Sequence, residues 1–207
     1  KEHNILTIID GAHIPGHFPL SINTLQPDIY VGACHKWLLC PKGVSFLYVD
    51  KKLQNHIDPL IISWGYESEY PVEHSKFQVH HYWQGTRDVS PFLTIPDAIQ
   101  FRKDYNWEDI SKKCKLRILE FRNEVHKIVQ NQSLVDCNPN KWLGQMYSFQ
   151  INYNDAIKLK NIFINDYKIE IPIMKWENKT LIRISLNGYN SQNDVDKLLE
   201  ILKRNNY

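Results

Sequence analysis

Glycine is scarce in this chain of 207 residues, and none of its eight glycines forms a GxGxxG or P-loop pattern. Glycine-rich turns that bind dinucleotides or nucleoside triphosphates are therefore not expected. Charge of one sign is also lacking, because 25 basic residues face 23 acidic ones and the basic residues are scattered along the chain. This balance argues against a nucleic acid or an anionic membrane as a partner.

Long apolar runs and paired cysteines are lacking as well. No apolar stretch approaches the roughly 18 residues of a membrane-spanning helix, and the first residues show no signal-peptide pattern. Cys34, Cys40, Cys114 and Cys137 show no paired spacing, which favours a reducing compartment over a disulfide scaffold. We therefore expect a cytoplasmic protein with no membrane and no nucleic acid as partner.

The composition supports a sizeable core, with 43% hydrophobic and 12% aromatic residues. The pattern of elements changes near residue 105. Strands with a short crossover precede it, whereas a long amphipathic helix, a strand at 146–151, a helix at 155–165, a hairpin around Glu177 and Asn178 and a closing helix follow it. We predict an α/β protein with two domains, 1–105 and 106–207.

Two apolar runs in the first part each end in residues that could carry chemistry. Residues 4–9 lead to Asp10, and residues 28–34 lead to His35 and Lys36. The Gly/Pro-rich stretch and short helical segment between them have the length of a compact crossover. Two parallel strands would bring the carboxylate, the imidazole and the amine to one carboxyl edge of a sheet, where such folds bind ligands.

A lysine that faces an aspartate suits pyridoxal 5′-phosphate. The amine forms a Schiff base with this cofactor, and the carboxylate keeps its pyridinium nitrogen protonated. The apolar neighbours of Lys36, among them Cys34 and Trp37, favour partial burial, which would favour the neutral, nucleophilic amine. The alternative is structural, with Lys36 capping a strand end and Asp10 serving as a turn or helix-capping residue.

Other candidate residues leave alternatives open. His13 and His17 could bind a metal ion, but Pro15 and Gly16 between them exclude the helical geometry that usually presents such a pair, and no metal site is expected. Arg183 lies on an apolar strand and either pairs with a structural acid or binds a substrate carboxylate.

The second group of open residues lies between residues 58 and 90. This segment is rich in aromatic residues and lacks periodicity, so we expect it to be irregular and to line a site or an interface. Thr86 and Arg87 follow a glycine at its end. They form either a functional element or a turn with an exposed arginine.

Three motifs taken together, Asp10 to His17, Cys34 to Gly43 and Trp83 to Asp88, resemble the class V aminotransferase family of PLP enzymes, in particular its isopenicillin N epimerase-like branch. The resemblance runs through nearly the whole chain. It implies fold type I, with part of the large-domain sheet followed by a smaller α+β C-terminal domain. Because the chain resembles only the C-terminal half of a family member, and its first strand is apolar, we expect an N-terminal half to be missing.

The resemblance also implies a role for each matching residue. Lys36 would bind the cofactor and shuttle a proton at the substrate's α-carbon, and Asp10 would pair with the pyridinium nitrogen. His13 would lie by the phenolic oxygen and His35 by the phosphate. Thr86 would reach the phosphate in the partner subunit, which implies a homodimer with a shared active site.

On the substrate side, Arg183 would bind the α-carboxylate, and Trp64 to Tyr66 would line the pocket. The desulfurase branch has a nucleophilic cysteine shortly before this arginine, but no cysteine lies between Cys137 and Arg183 here. Sulfur transfer through a persulfide is therefore disfavoured.

The predicted function is PLP-dependent chemistry on an α-amino acid through a carbanion, of the epimerase or lyase type. Epimerisation, elimination, C–S cleavage and transamination share that carbanion. Two alternatives stay open: a cysteine desulfurase or C–S lyase of class V, and a truncated, non-catalytic chain that binds a partner.

Overall fold

A computed structural model describes residues 3–70, 73–129 and 138–205. The chain forms two compact units, Lys1–Phe101 and Arg102–Tyr207. The assignment of domains to 1–105 and 106–207 stays a prediction. Cys137 lies outside the described residues, and Cys34, Cys40 and Cys114 are free thiols. None of the described helices is long and apolar enough to cross a membrane.

The described part of the first unit contains a three-stranded sheet in the order β1-β2-β3. These strands are Ile8–Asp10, Ile29–Ala33 and Ser45–Val49, and the short helix α1, Ile22–Leu25, lies between the first two. β1 pairs with β2 in parallel and β2 pairs with β3 antiparallel. The predicted parallel pair and the antiparallel return are thus confirmed.

β1 is an edge strand among the described residues. It pairs with β2 alone, and Ile8 is 68% exposed. Ile5 and Leu6 before it are exposed as well. Among the described residues no further strand pairs with β1 on its other side, which leaves this apolar run exposed.

The register of β2 and β3 depends on one glycine. Gly32 pairs with Phe46, and a Cβ on Gly32 would come within 2.3 Å of the Phe46 ring. The same ring stacks on Tyr30, with 6.0 Å between the centroids. A slip by one residue would place Phe46 opposite a residue with a side chain and would reverse the two faces of the strand.

Buried Asp28 joins the start of β2 to the residue before β1. Its carboxylate accepts hydrogen bonds from the Thr7 backbone N–H and hydroxyl, at 2.9 and 3.0 Å, and pairs with Lys52 at 3.0 Å. The backbone hydrogen bond from Thr7, followed by the contact with Lys52, holds the pKa of Asp28 well below its usual range. These contacts fix the start of the parallel pair.

Helices follow β3 in the first unit. A 3₁₀ helix at Lys51–His56 precedes α2, Lys76–Tyr82, α3, Ser90–Leu93, and α4, Ile95–Asp104. The prediction of an irregular segment from 58 to 90 is wrong where α2 forms, and the capping box between Ser75 and Gln78 was the available signal.

α3 and α4 are separated at Thr94 and do not form one helix. Pro96 lacks a backbone N–H and its ring crowds the carbonyl four residues earlier, so one continuous helix cannot form there.

The second unit packs helices against an antiparallel sheet. Its helices are α5, Trp107–Ile128, α6, Pro139–Trp142, α7, Ala156–Asn165, and α8, Gln192–Asn205. Its strands, in the order β4-β6-β5, are Met146–Ile151, Lys179–Ser185 and Ile173–Trp176. The long amphipathic helix predicted after residue 105 is confirmed as α5, which buries Cys114, Ile118, Phe121 and Val125.

Two element boundaries in this unit have local causes. Asn106 precedes α5 but makes no side-chain capping hydrogen bond, and its backbone is left-handed with φ 46°. The hairpin turns at Glu177 as predicted, and its first strand, β5, begins at Ile173, directly after Pro172. A proline cannot donate to a strand ladder, so regular pairing starts after it.

Candidate active site

Lys36 lies on the loop that joins β2 to β3, and backbone hydrogen bonds tie this loop at its base. The N–H groups of Cys34 and His35 donate to the Val44 carbonyl at 2.9 and 3.3 Å, and the Cys40 N–H donates to the Cys34 carbonyl at 3.1 Å. The loop is thus closed at both ends and presents Lys36 at the carboxyl end of β2.

The Lys36 side chain contacts His13 but is not enclosed. Its Nζ lies 3.2 Å from Nε2 of His13. Cys34, Trp37 and Cys40 are buried, whereas Lys36 itself is exposed. The expectation of a partly buried amine is therefore wrong for the described chain: apolar sequence neighbours point into the core while the lysine points away from it.

Asp10 closes β1 at the same edge of the sheet. Its Oδ1 accepts the Ala12 N–H at 3.0 Å, and the Gly11 N–H donates to the Val31 carbonyl at 2.9 Å. A Cβ on Gly11 would lie 2.0 Å from the Tyr30 hydroxyl, so only glycine fits there. Burial, and then the charge of the Asp10 carboxylate, raises the pKa of Tyr30.

His13, His17 and Trp37 form a connected group beside Lys36. The Trp37 indole N–H donates to Nδ1 of His13 at 3.1 Å. The ring of His17 stacks on Trp37, with 4.2 Å between centroids and 18° between planes, and its Nδ1 lies 3.2 Å from the His13 carbonyl oxygen. The crossover turn and the lysine loop are joined through these rings.

His35 is held by β3. Its Nδ1 lies 2.9 Å from the Val44 carbonyl oxygen. Because a carbonyl can only accept, Nδ1 carries a hydrogen and donates, which leaves Nε2 for another partner. A phosphate could accept from Nε2 only when the ring carries its second proton.

The two cysteines near the loop serve as core residues. Cys34 and Cys40 pack with Val44, and burial raises the pKa of both thiols. A buried thiol with a raised pKa is a weak nucleophile. Within the described residues no group of three or more His, Cys, Asp or Glu side chains could hold a metal ion.

Trp64 and Tyr66 belong to a folded aromatic cluster in the segment after β3. The Gly65 N–H donates to the Trp83 carbonyl at 2.8 Å, and the Tyr66 ring lies 4.6 Å from that of His80. The Trp64 ring lies over Gly85, where a Cβ would come within 2.5 Å of it.

The structure therefore brings Trp64 next to the turn that carries Thr86. Thr86 itself is exposed. Arg87 donates to the Gln84 side chain at 3.0 Å and to the Tyr82 carbonyl at 2.9 Å. These contacts agree with the interpretation of Arg87 as an exposed arginine in a turn.

Arg183 lies in the second unit, on β6, beside a pocket of about 450 Å³. Tyr189, Lys168 and Lys197 also line this pocket. The Arg183 Nε is buried without a hydrogen-bond partner, and none of the ion pairs found in the described residues involves its guanidinium. The structural alternative, an arginine paired with a core acid, is wrong for the described residues, and the guanidinium can receive an anion.

The family model for class-V aminotransferases matches residues 1–198. This chain belongs to the class-V aminotransferase family. The chain is 28% identical to isopenicillin N epimerase of Amycolatopsis lactamdurans over 98% of its own length and 53% of that protein's. It is 26% identical to hercynylcysteine sulfoxide lyase of Schizosaccharomyces pombe, covering 98% of this chain and 52% of the lyase.

Solved structures show the same fold. The apo cysteine desulfurase of Thermococcus onnurineus NA1 matches with a TM-score of 0.78 at 16% identity, over 98% of this chain and 53% of that one. A C-DES variant with glycine covalently linked to its PLP cofactor matches with a TM-score of 0.71 at 16% identity, over 95% of this chain and 51% of that one. The expected fold type I is confirmed, and the chain spans about half the length of these relatives.

Family membership also confirms pyridoxal 5′-phosphate as the expected cofactor. The residues of this class-V chain fit that group in their chemistry. Lys36 offers an exposed amine, Asp10 offers an exposed carboxylate that accepts the Ala12 N–H through one oxygen, and His35 offers Nε2. All three lie at or just after the carboxyl ends of β1 and β2, where the fold binds its ligand.

Trp37 is a site residue that the sequence indicated only as an apolar neighbour of Lys36. Its indole N–H donates to His13, so its polar edge faces the site while its ring is buried. The available signal was a tryptophan directly after the lysine, since a buried indole N–H needs an acceptor nearby.

Proposed function

We propose that this protein is a PLP-dependent enzyme that acts on an α-amino acid. The observation that carries the proposal is the contact between Lys36 Nζ and His13 Nε2, at 3.2 Å, at the sheet edge that Asp10 closes. The bound cofactor supplies an electron sink that acidifies the substrate's α-hydrogen. Lys36 would hold the cofactor through its amine and, when that amine is free, would accept or return the proton at the α-carbon.

The remaining residues of the first unit orient the cofactor. Asp10 would hold the proton on the ring nitrogen, because a carboxylate beside a pyridinium favours its charged form. His13 lies beside Lys36 and would donate toward the phenolic oxygen. His35 would donate to the phosphate from Nε2 when the ring carries its second proton, since Nδ1 already donates to the Val44 carbonyl.

Substrate recognition falls to Arg183, Trp64 and Tyr66. A guanidinium with a buried, unsatisfied Nε gains most when a carboxylate binds it, because the anion satisfies a donor that is already desolvated. The exposed Trp64 and half-buried Tyr66 provide apolar surface for the substrate side chain.

The complete enzyme, on this proposal, is a cytoplasmic homodimer with a shared active site. Thr86 lies in an exposed turn and would reach the phosphate bound to the partner subunit. The chain spans about half the length of its curated relatives, and on this proposal further parts of such an enzyme would complete the site.

Two reaction types fit this site. The likeness to isopenicillin N epimerase favours epimerisation, and the likeness to hercynylcysteine sulfoxide lyase favours C–S cleavage by elimination. Transfer of sulfur through a cysteine persulfide is disfavoured, because no cysteine lies between Cys137 and Arg183. A non-catalytic, partner-binding chain is a further alternative, favoured by the exposed apolar residues Ile5, Leu6 and Ile8.

Replacing Lys36 by alanine tests the proposal. The wild-type protein should bind PLP with a yellow absorbance band, and borohydride should fix the cofactor on Lys36, as peptide mass spectrometry would show. Lys36→Ala should lose both signals because no other amine occupies this loop position. Lys42→Ala, an exposed lysine of the same loop, should retain them.

Two results would overturn the proposal. A wild-type protein that binds no PLP as a purified dimer would favour the partner-binding alternative. Turnover of an amino acid by Lys36→Ala at the wild-type rate would remove Lys36 from the chemistry.

A further inference from the structure

Trp37 makes a hydrogen bond that determines where His13 carries its proton. The Trp37 ring is 6% exposed, and its Nε1 lies 3.1 Å from Nδ1 of His13. An indole N–H can only donate. Nδ1 of His13 must therefore be the acceptor, and the hydrogen of the neutral imidazole must be on Nε2.

That hydrogen points at the lysine. Nε2 of His13 lies 3.2 Å from Nζ of Lys36. An ammonium group has no lone pair, so the Nε2–H group can form a hydrogen bond with Lys36 only when the amine is neutral. The opposite tautomer, with its hydrogen on Nδ1, could accept a hydrogen bond from an ammonium group at Nε2. Its Nδ1–H group would then face the indole N–H of Trp37, which is also a donor.

Trp37 is itself held in place. The parallel ring of His17 covers one face of the indole, with 4.2 Å between the centroids. Gly16, with φ +79°, brings the crossover turn so close that a Cβ there would lie 2.5 Å from the Trp37 carbonyl oxygen. The indole N–H therefore has a defined direction, toward His13.

We propose that Trp37 is a positioning residue that fixes the Nε2–H tautomer of His13 and so directs a hydrogen-bond donor at the position where Lys36 reacts. The role in catalysis rests on the function proposed above. The tautomer itself does not, because it follows from contacts within this chain.

The tautomer can be measured directly. In purified, cofactor-free protein labelled with ¹⁵N in histidine, two-bond ¹H–¹⁵N correlations distinguish a protonated from an unprotonated ring nitrogen, and His13→Gln identifies the His13 signals. Wild-type His13 should show an unprotonated Nδ1 and a protonated Nε2. Trp37→Phe keeps an aromatic ring against His17 but removes the N–H, and it should show loss of this single form to a mixture of both tautomers.

Trp142→Phe is the matched control, since Trp142 is 66% exposed and lies in the second unit. It should leave the His13 pattern unchanged. A second readout is the pH profile of the absorbance of PLP-bound protein, which should move in Trp37→Phe and stay in Trp142→Phe, because a purely structural loss would lower occupancy without moving the profile.

A protonated Nδ1 on wild-type His13, or the wild-type pattern retained in Trp37→Phe, would overturn the inference. If Trp37→Phe fails to fold, a bicyclic tryptophan analogue with sulfur in place of the N–H keeps the shape and decides the question. Failure of PLP binding or turnover would count against the proposed function alone, because the cofactor-free spectrum is read independently of both.

Discussion

At the scale of single residues, Gly16 and Gly43 separate two reasons why a glycine is required. Both have a positive φ, +79° and +94°, which side chains rarely adopt. A Cβ added at Gly43 would meet nothing within 4 Å, whereas a Cβ at Gly16 would meet the backbone of Trp37 and Leu38 within 2.6 Å. Gly16 therefore carries a steric requirement in addition to the conformational one.

We predict that Gly16→Ala is more destabilising than Gly43→Ala. The backbone conformation alone should cost about 1–2 kcal/mol at either position, and the clash with the Trp37 backbone should add about 1–3 kcal/mol at Gly16. Urea unfolding of the two variants measures the difference. Equal losses would mean that the turn relaxes away from Trp37, and the close approach would then not be needed.

How much of the site the sequence could predict also differs by residue. Asp10, His35 and Lys36 could be placed at one sheet edge because each ends or follows an apolar run, and strand ends of a parallel pair coincide. The exposure of Lys36 could not be predicted in the same way. Its neighbours in sequence are buried, but burial of a side chain depends on what it faces in space.

At the scale of elements, α5 and β4 are joined by a partly buried polar contact in the second unit. Nε2 of His126 lies 2.9 Å from the Tyr147 hydroxyl, and the two rings stack. Burial, and then the nearby positive charge of Arg122, lowers the pKa of His126. Burial raises the pKa of Tyr147. The folded protein therefore favours the neutral forms of both.

This contact should make stability depend on pH below neutrality. Because the folded pKa of His126 is lowered, the unfolded chain takes up the proton first, near its ordinary pKa of about 6.5. The free energy of unfolding should be fully present above that pH and should fall as the pH drops toward the folded pKa.

Replacing the histidine tests this dependence. His126→Gln should show a smaller decrease of the urea midpoint between pH 7.5 and 5.5 than the wild type, since glutamine cannot take up a proton. His56→Gln, at an exposed position of the first unit, controls for the loss of a histidine. An unchanged pH slope in His126→Gln would assign the dependence to other groups.

The elements that could be predicted are those whose pattern is long. α5 and α8 repeat apolar residues over several turns, and both helices form where this pattern predicts them. The short helix α2 and the split between α3 and α4 depend on single residues, Gln78 in a capping box and Pro96 in the first turn of α4. The periodicity of apolar residues cannot reveal features that depend on a single residue.

At the scale of the whole molecule, the proposed shared active site can be tested by combining two variant subunits in one dimer. Lys36→Ala and Thr86→Val, each as a homodimer, should be inactive or strongly impaired. In a heterodimer of the two variants, one of the two sites would combine the intact Lys36 of the Thr86→Val chain with the intact Thr86 of the Lys36→Ala chain.

The heterodimer, purified with two different tags, should therefore recover about half of the wild-type activity, because one of two symmetry-related sites is whole. If Thr86 served its own subunit's site, the mixture would gain nothing over Thr86→Val. Wild-type activity of the Thr86→Val homodimer would show that the hydroxyl has no part in the site.

For the whole molecule, the sequence predicts the fold and the cofactor but not the reaction. The family motifs and their order made the fold and the cofactor predictable across nearly the whole chain. The epimerase and lyase relatives share that fold, so the pattern that identifies it does not separate their reactions.

The pairing of Gly32 with Phe46 has a consequence for how this sequence can change over time. The Phe46 ring occupies the space that a side chain at position 32 would need, and the loop with Lys36 leaves β2 only a few residues later. A larger residue at 32 could be accepted only together with a smaller one at 46. Substitutions at positions 32 and 46 should therefore occur together among descendants of this chain. Each such pair of residues should then determine the geometry of the loop that carries Lys36.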